Sequence, residues 1–215
     1  MKYVAVILTF LFVFSCKEKA KQKTVILEKT KSSAELDKLR YEFLNQILNE
    51  DIRKDSIEGT NESNLYQISL KNIELPENRI TNEELVPPPL VYFQLKYDSL
   101  FLEQDSLFYK SQANDLKNFQ FDKKLISKKL NYIDQEELQS FSKDNHSDFW
   151  ENFNNKYPNT CIKTISVPFF NKEKNICIAT YSYGCGSLWG NGFTGVYKKE
   201  NGKWKLLETW DYWVS

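Results

Sequence analysis

The chain has 215 residues with a formal net charge of zero, and 15% of its residues are aromatic. Aromatic side chains in this number exclude a disordered chain, because their burial offsets the entropy that is lost on folding. The zero net charge provides no general attraction to nucleic acid, so we expect no nucleic-acid partner.

Residues 1–15 have the pattern of a secretory signal peptide. Met1 and Lys2 form a short positive start, and an uncharged run follows from Tyr3 to Phe14. A transmembrane helix needs about 20 apolar residues, so this run is too short to span a membrane. The small Ser15 before Cys16 resembles the lipobox of bacterial lipoproteins, although Phe14 is bulky for its position.

The lipobox resemblance implies a lipid anchor on Cys16. In such lipoproteins signal peptidase II cleaves before the cysteine, and the thiol then carries diacylglycerol, with acyl chains such as palmitate. Residues 16–31 contain six lysines and two glutamates, and we interpret them as a lipidated basic tether. The membrane is therefore a predicted partner through lipid. The alternative is an ordinary signal peptide that is cleaved elsewhere.

Residues 32–157 are predicted to form the helical part of a single domain, 32–215. The pattern Ser32-x-x-Glu35 is a capping box, and it predicts a helix over 33–54. We expect a polar loop over 55–64, a strand or extended segment over 65–75, and a stiff linker at the three prolines 87–89.

A repeated tetrapeptide indicates the next helix. Asp98-Ser99-Leu100-Phe101 recurs seven residues later, at 105–108. This spacing predicts a helix over 98–113, capped by Asp98 or Ser99, with both Leu-Phe pairs on one face. Asp134-x-x-Glu137 predicts a further short helix. Ser147 is expected to begin another, which Pro158 ends, with one aromatic side formed by Trp150, Phe153 and Tyr157.

Residues 158–215 are predicted to form the β part. The segments 160–170 and 176–183 are rich in β-branched and aromatic residues, which is typical of a hairpin. A second pair, 193–198 and 203–214, surrounds the tight-turn dipeptide Asn201-Gly202. The fold class expected is therefore α+β, with N-terminal helices packed on a C-terminal antiparallel β-meander.

The glycines indicate an unusual backbone near the C-terminus. Six of the seven lie between Gly184 and Gly202. A phosphate-binding loop is excluded because a strand follows and no lysine is present. Two interpretations remain: a bulged connection whose Trp189 covers the core, or a binding loop. The candidate binding residues are Gly184, Gly186, Trp189, Gly190, Gly192 and Phe193.

The later aromatic residues offer a similar choice between core packing and a sugar-stacking platform: Trp204, Trp210, Tyr212 and Trp213.

The sequence contains no recognisable catalytic constellation, and it predicts no cofactor. His146 is the only histidine, and no CxxC or HxxxH spacing is present, so no metal site is expected. A nucleophilic pair of Cys185 and His146, as in a thiol-dependent hydrolase, is the one enzymatic alternative.

The hairpin also predicts a possible disulfide. If the hairpin is symmetric about Glu173, Cys161 faces Cys185, and Cys177 faces Phe169. Opposed cysteines in a non-hydrogen-bonded antiparallel pair lie close enough for a bridge.

The C-terminal region resembles a group of small, uncharacterised lipoproteins of Bacteroidota-type bacteria. The likeness covers about 140–215 well and about 98–135 loosely, and its main motifs are Ser166-Val167-Pro168-Phe169-Phe170-Asn171, Gly184-Cys185-Gly186, Gly190-Asn191-Gly192 and Asn201-Gly202-Lys203-Trp204. Related chains often have a second cysteine where this chain has Trp189. The resemblance implies no activity. It does imply the outer membrane, on its periplasmic or cell-surface face.

The expected function is that of a membrane-anchored envelope lipoprotein, acting as a non-catalytic binding or accessory module. Its partner would be an unknown envelope protein or glycan. The alternatives are the thiol-dependent hydrolase and a purely structural envelope component.

Overall fold

The computed structural model describes residues 33–57, 63–78, 92–142 and 148–215. The predicted signal peptide, Cys16, the tether, the three prolines and His146 lie outside these residues. The chain divides into two units, 1–39 and 40–215. In the first unit, residues 33–39 are described and are helical. The second unit contains the sheet, and all contacts given below lie within it.

The main sheet is mixed, with the strand order β1-β4-β6-β7-β8, and β5 pairs with β6. Its strands are β1 (Ser63–Ser69), β4 (Thr160–Ser166), β5 (Phe169–Phe170), β6 (Ile176–Gly186), β7 (Trp189–Glu200) and β8 (Lys203–Val214). Strands β4 to β8 pair in antiparallel fashion, as the sequence predicts. Strand β1 adds a parallel edge to this meander, because it pairs with β4. A separate parallel pair joins β2 (Asn72–Glu74) and β3 (Tyr92–Gln94). The fold class is α+β, as predicted.

Within the described residues, four α-helices accompany the sheet. Residues 33–57 form α1, and the others are α2 (Ser106–Lys117), α3 (Gln135–Ser140) and α4 (Phe149–Lys156). Helix α1 is longer than predicted and includes residues 55–57 of the expected loop. The cap of α3 is confirmed, since the Asp134 side chain accepts a hydrogen bond from the Glu137 amide at 2.8 Å.

The predicted helix over 98–113 is wrong at its start. Asp98 accepts hydrogen bonds from the amides of Leu100 and Phe101, at 2.7 and 2.9 Å. These bonds close a turn, and α2 begins only at Ser106. The two tetrapeptides therefore do not share a helix face: Phe101 is buried in the core, whereas Leu107 is exposed.

The register of the first hairpin is confirmed for β4 and is wrong by one residue for β5. Ile162 pairs with Gly184 and Ile165 with Tyr181, as symmetry about Glu173 requires. Cys177, however, faces Phe170 instead of Phe169. Pro168 lies between β4 and β5 and has no amide hydrogen, so it interrupts the ladder where the register changes.

The turn between β7 and β8 has the predicted geometry. Asn201 and Gly202 both have positive φ, 52° and 76°. A type I′ turn needs positive φ at both central residues and matches the twist of the paired strands.

Helix α1 packs on the sheet through aromatic and amide contacts. The Phe43 ring meets Tyr197 and Trp204 edge to face, with centroids 4.9 and 5.9 Å apart. The Gln46 carboxamide accepts from the Trp204 amide at 2.8 Å and donates to its carbonyl at 2.6 Å. Trp204 is therefore core, as one of the two interpretations of the late aromatic residues expected.

Candidate functional site

The glycine-rich segment is the end of a hairpin and not a loop. Strand β6 continues to Gly186 and β7 begins at Trp189, and the register shifts between Gly184 and Gly186. This shift is the β-bulge that one of the two interpretations expected. Trp189 is 61% exposed, so the expectation that it covers the core is wrong.

Close approach of two indole rings explains two of these glycines, and close approach of a backbone carbonyl explains a third. A Cβ on Gly192 would lie 2.5 Å from Nε1 of Trp213, and one on Gly184 would lie 3.1 Å from the ring of Trp150. A Cβ on Gly190 would meet the Tyr183 carbonyl oxygen at 2.9 Å and the Trp213 ring at 3.4 Å. Gly186 has no neighbour at this distance. The glycines therefore let two tryptophans lie directly against the sheet.

These tryptophans border a cavity of about 350 Å³, which we call the tryptophan pocket. Strands β4 and β6 contribute to its floor, α3 and α4 to its walls, and β8 contributes Trp213. The lining residues are Gln67, Gln135, Leu138, Gln139, Ser142, Phe149, Trp150, Ile162, Thr164, Ser182, Tyr183, Gly184 and Trp213. None of these side chains carries a formal charge at neutral pH.

Hydrogen bonds fix part of the polar lining. The Thr164 hydroxyl donates to the carboxamide oxygen of Gln67 at 3.0 Å, and Gln67 donates in turn to the carboxamide oxygen of Gln135 at 2.5 Å. This chain of bonds links β4, β1 and α3. The polar side of the pocket is thus held in place by groups from three elements.

Helix α4 positions the first indole. The Asp148 side chain accepts from the Trp150 amide at 2.9 Å and caps the helix. The fully buried Phe153 ring meets Trp150 edge to face, with centroids 5.6 Å apart. The predicted aromatic side of this helix is confirmed, because Phe153 also contacts Tyr157. The cap is Asp148, one residue after the predicted Ser147, which lies outside the described residues.

A disulfide lies at the same end of the sheet. Cys161 on β4 is bonded to Cys185 on β6, with Cα atoms 4.3 Å apart. Side chains alternate between faces along a strand, so the bond lies on the face opposite to Gly184 and the tryptophan pocket. It joins the two strands that carry the floor of the pocket.

This bond leaves no free thiol on Cys185 for the predicted nucleophilic pair with His146. Cys177 is a free cysteine, but it is fully buried, and burial raises the pKa of its thiol. A nucleophile requires an accessible thiolate, so neither cysteine provides one in this structure. The expectation of a thiol-dependent hydrolase therefore has no structural support.

A buried ion cluster fastens α1 to the sheet on the face away from the tryptophan pocket. The Lys163 side chain is 3% exposed, and its Nζ lies 2.9 Å from Asp51 and 2.6 Å from Asp55. The hydroxyls of Tyr66 and Tyr181 each donate to Asp51 at 2.9 Å. Burial, and then the Asp51 carboxylate, raise the pKa of both tyrosines. No sequence motif pointed to this cluster, although the spacing of Asp51 and Asp55 places both on one face of α1.

Two other cavities are less suited to a ligand. The larger, about 510 Å³, lies between residues 70–75 and α2, and no aromatic side chain lines it. Its Lys110 already pairs with Glu77 at 3.1 Å. The second, about 310 Å³, lies beside Trp210, whose ring contacts Phe93. Trp210 is thus engaged in packing.

The remaining residues of the predicted binding loop lie outside the tryptophan pocket. Phe193 contacts the ring of Tyr181, with centroids 5.7 Å apart. Trp189 and the neighbouring turn residue Leu188 are exposed, and so is Tyr212. Of the predicted binding residues, Gly184 lines the pocket. Gly190 and Gly192 lie next to Trp213 without lining the pocket, and Gly186, Trp189 and Phe193 do not line it either.

Comparisons with protein-family models, curated proteins and solved structures find no match for this chain. Within the described residues, no group of three or more His, Cys, Asp or Glu side chains is arranged to hold a metal ion. The helices in the described part of the chain are all too short or too polar to span a bilayer.

Proposed function

We propose that this chain is a lipid-anchored envelope lipoprotein whose folded part is a non-catalytic binding module, with the tryptophan pocket as its binding site. The observation that carries the binding role is the combination of two indoles with uncharged hydrogen-bonding side chains around one cavity. Its volume of about 350 Å³ falls at the lower end of the range for small-ligand pockets.

The rigidity of the surroundings supports this role. A binding site needs side chains that are held in place before the ligand arrives. Glycines admit Trp150 and Trp213 against the sheet, the Asp148 cap fixes the start of α4, and the Cys161–Cys185 bond joins two strands of the floor. Among the described residues, no hydrogen bond joins a nucleophilic side chain of the pocket to a general base. This observation favours binding over catalysis.

The binding role can be tested by asking which fractions of the native envelope raise the melting temperature of the protein. Purified protein would be melted in the presence of separated protein, lipid and glycan fractions of the native envelope. A ligand of the pocket raises the melting temperature of the wild type and not that of Trp213→Leu, because binding to the folded state stabilises it. If no fraction raises the melting temperature of the wild type, the purely structural role is the better description.

The lipid anchor rests on the sequence of residues 1–16, which resembles a signal peptide with a lipobox. Cys16→Ala removes the thiol that would carry lipid, so this variant is expected to leave the membrane fraction and to lose acyl labelling. Lys17→Ala serves as the control, because it keeps the cysteine. Retention of Cys16→Ala in the membrane at the wild-type level contradicts the anchor.

A further inference from the structure

We propose that the ligand of the tryptophan pocket is a neutral saccharide, an inference that rests on the proposed binding role of this pocket. Its polar lining consists of side-chain amides and hydroxyls, from Gln67, Gln135, Gln139, Ser142, Thr164 and Ser182. Each amide or hydroxyl side chain can both donate and accept a hydrogen bond. Sugar hydroxyls have the same double capacity, so this lining is chemically matched to them.

The two indoles match the other surface of a sugar. A pyranose ring presents C–H groups on its faces and hydroxyls around its rim. Trp150 and Trp213 supply large apolar rings beside the polar groups of the pocket, and each indole also carries one N–H donor. The pocket therefore offers apolar surface and neutral hydrogen-bonding groups together.

Charge argues against ionic ligands. No formally charged side chain lines the tryptophan pocket. A carboxylate, phosphate or ammonium group that leaves water needs an opposite charge or several strong hydrogen bonds to compensate its lost hydration. A neutral ligand avoids this cost.

Sheet geometry argues against an extended peptide. A peptide that adds a strand needs an open sheet edge with unpaired backbone groups. The floor strands β4 and β6 are both interior strands, because β4 lies between β1 and β6, and β6 lies between β4 and β7. The pocket thus presents side chains on a sheet face and no free edge of its floor strands.

Titration with defined probes tests the inference. The mature full-length chain, kept in a detergent without a sugar headgroup, would be titrated with maltotriose, cellotriose, mannotriose and chitotriose, following tryptophan fluorescence and heat of binding. An uncharged tripeptide and a trisaccharide of galacturonic acid complete the panel. Saturable binding of one or more neutral trisaccharides, without comparable binding of the charged one, is the result expected.

Two variants assign that binding to the pocket. Trp213→Leu is expected to weaken it about tenfold or more, as truncation of an interface tryptophan commonly does. Gln139→Ala changes an exposed position on α3, so folding is preserved, and the loss of one hydrogen bond is expected to weaken binding by about threefold to tenfold. Gln120→Ala, another exposed glutamine that does not line the pocket, is the control and leaves binding unchanged.

The outcomes separate the two proposals. Binding of the tripeptide but of no neutral trisaccharide, if weakened by Trp213→Leu, overturns the saccharide inference and retains the binding module. Binding of a neutral trisaccharide that Gln139→Ala and Trp213→Leu leave unchanged also overturns it, because the sugar then lies elsewhere. If no probe binds and no envelope fraction stabilises the protein, both proposals fail.

Discussion

At the scale of single residues, Gly184 and Gly192 on β6 and β7 are explained by their neighbours and not by their own backbone angles. Among the described glycines only Gly202 has positive φ. Gly184 and Gly192 are needed because an indole ring occupies the space of a side chain. Gly184 and Gly192 are therefore a sequence record of where Trp150 and Trp213 lie, although the sequence does not say which rings fill the space.

Gly192→Ala tests this explanation. The added Cβ would lie 2.5 Å from Trp213 Nε1, so the indole must move. We expect a melting temperature lower by several degrees and a changed tryptophan emission spectrum, since overpacking costs about 1–3 kcal/mol.

Gly186→Ala is the matched control for this variant. No atom lies near the position of its Cβ, so its melting temperature and emission should remain those of the wild type. Equal effects of the two substitutions would mean that backbone freedom, and not space for Trp213, explains the glycines.

Lys163 gives a second prediction at this scale. Lys163→Met removes a buried cation that lies within 2.9 Å of both Asp51 and Asp55. Two carboxylates then remain close together with poor compensation, and we expect the free energy of unfolding to fall by about 3–5 kcal/mol. Urea denaturation measures this change.

Lys156→Met serves as the comparison, because Lys156 pairs with Glu137 at 2.7 Å on the surface. Exposed ion pairs contribute little, so this variant should unfold almost as the wild type does. A loss in Lys163→Met no larger than that in Lys156→Met would show that the buried cluster is not a structural link.

At the scale of elements, the disulfide joins strands that backbone hydrogen bonds already hold. Cys161 and Cys185 are 24 positions apart in sequence. In the chain-entropy account, closing a loop of this length limits the unfolded chain and stabilises the fold by about 3 kcal/mol. The bond therefore secures the end of the sheet where the tryptophan pocket lies.

The double variant Cys161→Ser/Cys185→Ser measures that contribution. It should unfold at lower urea concentration than the oxidised wild type, and a reductant should bring the wild type to the same midpoint. The reductant should have no effect on the double variant. Alkylation of Cys161 and Cys185 in oxidised, folded protein, with Cys177 unlabelled in the interior, would contradict the bond.

The success of sequence prediction also differs by element. Strands β4 to β8 follow local signals, above all Asn201-Gly202 and the β-branched runs, so their antiparallel order was predictable. The start of α2 was not, because an aspartate caps a turn as readily as a helix, and Asp98 does the former. The tryptophan pocket was not predictable either, since it joins Trp150 to Trp213 through tertiary packing that no local pattern specifies.

At the scale of the whole molecule, tyrosines with raised pKa values make the stability of the fold sensitive to alkaline pH. Burial and the Asp51 carboxylate raise the pKa of Tyr66 and Tyr181 above the ordinary value of 10.0. Burial first, and nearby acidic groups after it, raise the pKa of Tyr109 to about 12. Above pH 10 the unfolded chain therefore releases protons that the folded protein retains.

Below pH 10 these tyrosines should therefore give the free energy of unfolding no dependence on pH. Above pH 10 the free energy of unfolding should fall as the pH rises. Urea denaturation between pH 8 and 11 measures the slope, and absorbance at 295 nm reports tyrosine ionisation. Tyr181→Phe should reduce the slope by up to about 1.4 kcal/mol per pH unit, which corresponds to one proton. An unchanged slope in this variant would mean that Tyr181 ionises alike in both states.

The parallel pairing of β1 with β4 has a consequence for the order in which the chain acquires its structure. The hairpins from β6 to β8 connect neighbouring segments, whereas Gln67 on β1 bonds to Thr164 on β4 across 97 positions. Contacts between distant segments form slowly, because a long stretch of chain must lose its freedom before they stabilise anything. During synthesis β1 leaves the ribosome long before its partner exists. We therefore expect assembly to start at the C-terminal strands, with β1 added last along the edge of β4.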